Sequence, residues 1–213
     1  ALPTGPDSEP PSFENVQDLP VLSGPGWEAI VFIGELGGAR SPARVFSPLV
    51  GAELRLDPWA TADLPLDPSW EHGVLVAEGT ARTGEPIREY FGDLATPDAP
   101  ALTEREQARG VLHSGHLAYL GLGRDHATLT AGEDGARLIL IGGEPFREPV
   151  VMFWNFFGRN HDRVAQAAAD WESDWLGGAR RFGTVTGHGV DHFAGPAIPP
   201  IRMKPRRSRH VPS

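Results

Sequence analysis

Cysteine is missing from this chain of 213 residues. No disulfide framework can staple it, no thiolate can ligate a metal, and no thiol nucleophile is available. Long apolar runs are missing too. Nothing approaches the roughly 18 residues a membrane-spanning helix needs, and no secretory leader is visible. The expectation is a soluble, cytoplasmic protein with no membrane partner. Positive charge is scarce: 19 Lys and Arg stand against 28 Asp and Glu, for a net charge of −9, so general nucleic-acid binding is not expected. A Gly-x-Ser-x-Gly elbow, a phosphate loop and a dinucleotide fingerprint are all absent from the sequence.

Glycine and proline are plentiful, 26 and 21, and the hydrophobic fraction of 40% supports a real core. Many short extended segments joined by tight turns would give that composition. Residues 1–20 are Pro-rich and polar and read as linker. From about Trp27 strand signals begin. "WEAIVFIGEL" and "LVGAELRL" are β-compatible, the second alternating at Leu54 and Leu56, and "HGVLVAEG" follows. "HLAYLGLG" is apolar on both faces. "HATLTAGEDGARLILIGG" reads as two strands around Gly132-Glu133-Asp134-Gly135, which is hairpin chemistry. Strands so spaced, without helices between them, predict an antiparallel sandwich or barrel over residues 21–150.

Two segments depart from that pattern. Residues 82–113 read as a charged, Pro-containing insertion, within which Thr103 and Glu106 form a capping box and Gly110 a stop, predicting a two-turn helix. Beyond the barrel, the region 151–213 holds an apolar segment, a helix over 160–176 and a tail. Asn160 caps that helix. Val164, Ala168, Trp171 and Trp175 share a face that reads as packing, and Gly177-Gly178 end it. After Ile141, Gly142-Gly143 release the chain from the barrel, and two Glu-Pro pairs hold it extended, since proline disfavours helix in the residue before it. The apolar run that follows is expected to cover a barrel edge.

Among polar groups, His188 and His192 stand four apart beside Asp191, but Gly187 and Gly189 argue for a loop. In the tail, Arg202, Lys204, Arg206, Arg207 and Arg209 crowd together with no acid among them. They are candidates for contact with an anionic partner, set against the plainer reading of a solvated tail.

The strand ending "LILIGGEPFREPVVM", the aromatic segment "FWNFFGRNHD", a helix containing "ADW", then "RFGTV" and a Pro-rich basic tail resemble the C-terminal half of the pirin family. Trp154-Asn155-Phe156 is similar to the bacterial branch. "EPPSFENVQDLP" resembles the linker between the family's two cupins, and "LPLDPSWEHGVLVAEGTA" a strand pair of its second cupin. Pirins are bicupins, so the resemblance implies an all-β cupin (double-stranded β-helix, jelly-roll) barrel with a C-terminal α-helix and an extended basic tail. It also implies that Fe(II) or another divalent metal belongs to the family's N-terminal cupin, through three His and one Glu, with no cofactor expected here.

The cupin motifs are eroded in this chain. Where His-x-His is needed, Trp70-Glu71-His72 stands, and Ala118 fills the histidine position of the second motif. A remodelled metal site from Glu71, His72, His113 and His116 is weighed against ordinary surface or core histidines. Three functions follow. The chain is a non-metal cupin completing an iron-binding bicupin, with Phe153, Trp154, Asn155, Phe156 and Phe157 touching the N-terminal cupin or a homodimer partner. Alternatively it is a metal-dependent quercetin 2,3-dioxygenase-like enzyme acting on a small aromatic substrate, or a regulatory interaction module resembling the family's co-regulator member.

Overall fold

In the computed structural model, His126–Gly143 form one unbroken strand of 18 residues, β10 in chain order. The expected hairpin at Gly132–Gly135 is therefore a correction. Its two halves do not pair with each other. Both pair antiparallel with the same neighbour, β6 (Glu71–Thr83), Ala131 opposite Ala81 and Ala136 opposite Gly79. Four residues of β10 thus face one of β6, and this bulge turns both strands through a corner. The two chains pass very close there. Gly79 has φ +75° and a Cβ on it would lie 2.3 Å from the Gly135 carbonyl oxygen, so the position requires glycine.

The structure describes residues 14–92, 101–146, 148–175 and 193–205. These fall into two compact units, 14–144 and 145–205. In the first, β1 (Val21–Gly24), β2 (Trp27–Leu36), β4 (Leu49–Leu56), β10, β6, β9 (Leu117–Gly121) and β7 (Glu89–Phe91) are hydrogen-bonded in that order. We call this layer one. Past the corner, β10 pairs with β5 (Thr61–Pro65) and β6 with β8 (Val111–His113), forming layer two. The short β3 (Ala39–Arg40) pairs with β2. Between the layers lies an aliphatic core that includes Val31, Leu54, Leu64, Val74, Leu129 and Leu138, all inaccessible to solvent. The all-β cupin barrel and its C-terminal helix are present as expected.

The described residues of 82–113 do not stand apart from the barrel as an insertion. They complete β6 and supply β7 and β8, and their helix α1 (Glu104–Arg109) carries the expected caps: Thr103 and Glu106 in a reciprocal capping box, Gly110 left-handed at φ +70°. β1 and β5 carried no signal read in the sequence.

In the second unit the apolar run folds on itself. β11 (Val151–Phe153) and β12 (Phe156–Gly158) pair as a hairpin whose buried Val151 and Phe156 pack with Val164 and Ala167 of α2 (His161–Trp175). Asn160 Oδ1 accepts the Arg163 N–H at 3.0 Å and caps that helix as expected. Gly177-Gly178, the Trp175 side chain, His188, Asp191 and His192 lie outside the described residues.

Candidate functional site

Strand periodicity decides what the four metal candidates can do. Glu71 and His72 are successive residues of β6, so their side chains leave opposite faces of the sheet. His72 points inward and is 3% exposed. Its ring stacks on Trp70, with centroids 6.3 Å apart and planes at 23°, and crosses Gly142, where a Cβ would come within 2.4 Å of Cδ2. Nδ1 is buried without a hydrogen-bond partner among the described residues. Burial holds the imidazole pKa below its ordinary value, against the weaker opposing pull of Asp67 and the Trp70 backbone. Glu71, on the other face, accepts a 2.8 Å hydrogen bond from the Tyr119 hydroxyl.

His113 and His116 stand elsewhere. His113 pairs with Thr80, eight residues along β6 from His72, which is roughly 26 Å of strand. Its Nε2 lies 2.8 Å from Glu106 Oε1. The Glu106 carboxylate also accepts the Thr103 hydroxyl at 2.6 Å and the Thr103 N–H at 2.8 Å. These hydrogen bonds, the Thr103 hydroxyl first and His113 last, hold its pKa down to about 2. His116 is fully buried, with Nδ1 3.0 Å from the His113 carbonyl oxygen and its ring edge-on to Tyr90 at 5.7 Å. The structure thus brings His113, His116 and Glu106 to one corner of the fold and leaves His72 and Glu71 apart from it and from each other. Among the described residues no group of three or more His, Asp or Glu is arranged to hold a metal ion.

The interior explains why. Beside the inward His72, the buried positions Val31, Ala52, Leu54, Val74, Val76, Leu138 and Leu140 form a packed hydrocarbon core that offers no imidazole or carboxylate. A small recess of about 180 Å³ lies beside Thr83, Glu85, Arg124 and His126, and there Arg124 is already committed to Glu85 and to the Leu120 carbonyl.

The contact candidates divide. Phe156 is buried and Phe153 half-buried within the second unit, while Trp154, Asn155 and Phe157 are exposed. Trp154 sits in the hairpin turn at φ +51°, edge-on to Phe156 at 5.2 Å and to Trp171 at 6.2 Å. Arg202 already grips Asp162, donating through both terminal guanidinium nitrogens to its two carboxylate oxygens at 3.0 and 2.6 Å. Lys204 is exposed, and Arg206, Arg207 and Arg209 lie outside the described residues. No helix among the described residues is long and apolar enough to cross a membrane.

Comparison with known proteins accords with this architecture. The family model described as the pirin C-terminal cupin domain matches residues 51–177. A Pseudomonas aeruginosa protein named for quercetin 2,3-dioxygenase activity is 35% identical over 206 residues, 96% of this chain and 55% of its own length. Pirin of Homo sapiens is 25% identical over 157 residues, 74% of this chain and 47% of its own. Among solved structures, a quercetin 2,3-dioxygenase from Acinetobacter baumannii matches with a TM-score of 0.67 at 26% identity, over 88% of this chain and 53% of that one. The chain spans about half the length of the curated relatives it matches. It belongs to the pirin family, and its barrel is that family's C-terminal cupin.

Proposed function

We propose that this domain is the non-metal half of a bicupin, completing a second, metal-bearing cupin whose chemistry is a quercetin 2,3-dioxygenase-like oxidation of a small aromatic. The observation that carries the reading is the filling of the barrel interior: beside the inward His72, buried positions such as Val31, Leu54, Val74 and Leu138 are aliphatic, and among the described residues no set of ligands converges on a metal position. The metal that the relatives' dioxygenase name implies does not fit these residues. His72 points inward, its neighbour Glu71 leaves the opposite face, and His113 lies on β8, paired with Thr80 eight residues further along β6. No chemical step is therefore assigned to this half. Its contribution is support and enclosure for the half that reacts.

Metal content of the purified chain after incubation with Fe(II) and other divalent ions tests this. The expected result is no stoichiometric metal. About one ion per chain, lost in His72→Ala or His113→Ala, would replace this reading with a rebuilt site in the barrel.

A further inference from the structure

Under the connection that carries the chain from β9 to β10 lies the recess of about 180 Å³, walled by both layers. Leu120 closes it from layer one, and Thr83, Ala127 and Leu129 close it from layer two. Leu129 is wholly buried and Ala127 nearly so, which makes the floor hydrocarbon. A cavity of about 150 Å³ lined by hydrocarbon takes up benzene, so the space suits a single ring or its equivalent. The connection above it is pinned in place. Gly123 N–H donates to the Pro68 carbonyl and Leu66 N–H to the Asp125 carbonyl, both at 2.8 Å.

Glu85, Arg124 and His126 supply the charge beside this floor. Arg124 is fixed by its Nε–H, which donates to the Leu120 carbonyl at 2.7 Å. Its side chain is only 22% exposed, whereas the Glu85 side chain it meets is 61% exposed. That meeting uses Nη1 and one carboxylate oxygen. Elsewhere in the molecule the arginines grip with two prongs: Arg137 takes both oxygens of Glu53, and Arg202 both of Asp162. The forked pairing is the stronger and more specific one. Arg124 Nη2 has no hydrogen-bond partner among the described residues. His126 turns Nδ1 to Asp125 at 2.6 Å, and that hydrogen bond, with weaker pulls from Asp63 and Glu85, raises the imidazole pKa above its ordinary value. The hydroxyls are spent inside the protein, Thr83 on the Glu85 and Gly110 carbonyls and Thr128 on Asp63.

We propose that this recess binds a small apolar monocarboxylic acid, its carboxylate on Arg124 and its hydrocarbon body over Leu120, Ala127 and Leu129. Glu85 is then the stand-in. It is an exposed carboxylate of the chain itself, holding one prong of Arg124 and displaced when a ligand takes both. Charge selects the head group. An amine would meet Arg124 and the His126 imidazolium, and a neutral ring would gain the floor but nothing from the guanidinium. Size selects the body, since pockets for drug-sized ligands run from about 300 Å³ upward. The proposal needs no metal and does not depend on whether this domain completes a bicupin.

The test titrates the purified 213-residue chain with benzoate and follows its amide NMR spectrum, with benzyl alcohol and benzylamine as probes of the same ring. Benzoate should give saturable shifts centred on Thr83 to Glu85 and Leu120 to Leu129, and should bind about tenfold tighter than either control. Arg124→Gln should bring benzoate down to the affinity of the alcohol. Because Arg124 also holds the connection in place, the exposed Glu85→Gln supplies an independent variant. Removing the competing carboxylate should tighten benzoate several-fold and leave benzyl alcohol unchanged. No saturable shift, shifts centred outside the recess, or equal binding of benzoate and benzyl alcohol would each overturn the proposal. So would tighter binding of benzylamine that Glu85→Gln abolishes, which would make Glu85 the partner of a cation instead of the stand-in for an acid.

Discussion

On the outer face of layer two, β10 carries His126, Thr128 and Thr130 opposite Pro65, Asp63 and Thr61. The hydroxyls are used: Thr128 donates to Asp63 at 3.0 Å, and Thr61 and Thr130 lie 3.0 Å apart. Past the corner, the same strand presents Ile139 and Ile141 on the outer face of layer one, against Leu75, Gly51 and Gly73. The two segments share a strand, a neighbour and one core, yet one outer face follows the alternation of a solvated sheet and the other does not. The inner faces say what holds the barrel together. The outer faces say which side was shaped for something besides water.

Four tests probe that difference, beginning with the largest expected effect. Leu138→Ala removes an inward side chain that is wholly buried and should cost about 3 kcal/mol in denaturant unfolding, whereas Ile139→Ala, one residue on and facing out, should cost about 1 kcal/mol. Equal costs would mean that both faces are already covered in the chain alone. Gly79→Ala places a Cβ against the Gly135 carbonyl at the corner shared by the layers, at a left-handed φ, and should cost about 2 kcal/mol or more, with broadened amide spectra in both layers. Damage confined to one layer would count against the corner as their common hinge.

Next is pH. The folded-state pKa of His72 is depressed by burial, so the ring is neutral in both states above about pH 6.5 and its contribution is then at its best. As pH falls below the unfolded value, the unfolded chain takes up a proton that the folded one resists. Stability should therefore decline toward the lower folded-state pKa and then level. His72→Phe should flatten that part of the profile, and an unaltered slope in urea titrations between pH 5 and pH 7 would locate the loss elsewhere. Smallest of all, Thr128→Val on the outer face of layer two should shift stability by no more than about 0.5 kcal/mol in the same assay.

The parts of this fold legible in the sequence are those whose signal is local. Trp27–Leu36 and Leu49–Leu56 announce themselves by apolar content and alternation, and α1 by Thr103, Glu106 and Gly110, because a capping box is complete within four residues. Gly132-Glu133-Asp134-Gly135 misled for a physical reason. The backbone freedom that closes a hairpin also bends a continuing strand, and the choice is made by β6, more than fifty residues earlier. The short β7 and β8 exist only because β9 and β6 hold them, so charge and proline hid them as an insertion. At the candidate site, sequence spacing put His72 and His113 in one list. It could not show that they belong to different layers, nor that an odd step along β6 sends Glu71 away from His72.

The corner also bears on how the barrel comes apart. Because β6 and β10 run through both layers, neither layer can peel away while the other persists. Slow-exchanging amides on either side of the bulge should share one protection factor, opening only when the whole barrel opens. A break in the chain inside β10 would sever both sheets at once, so new termini would be tolerated in the turn after Leu56 but not between Ala131 and Ala136.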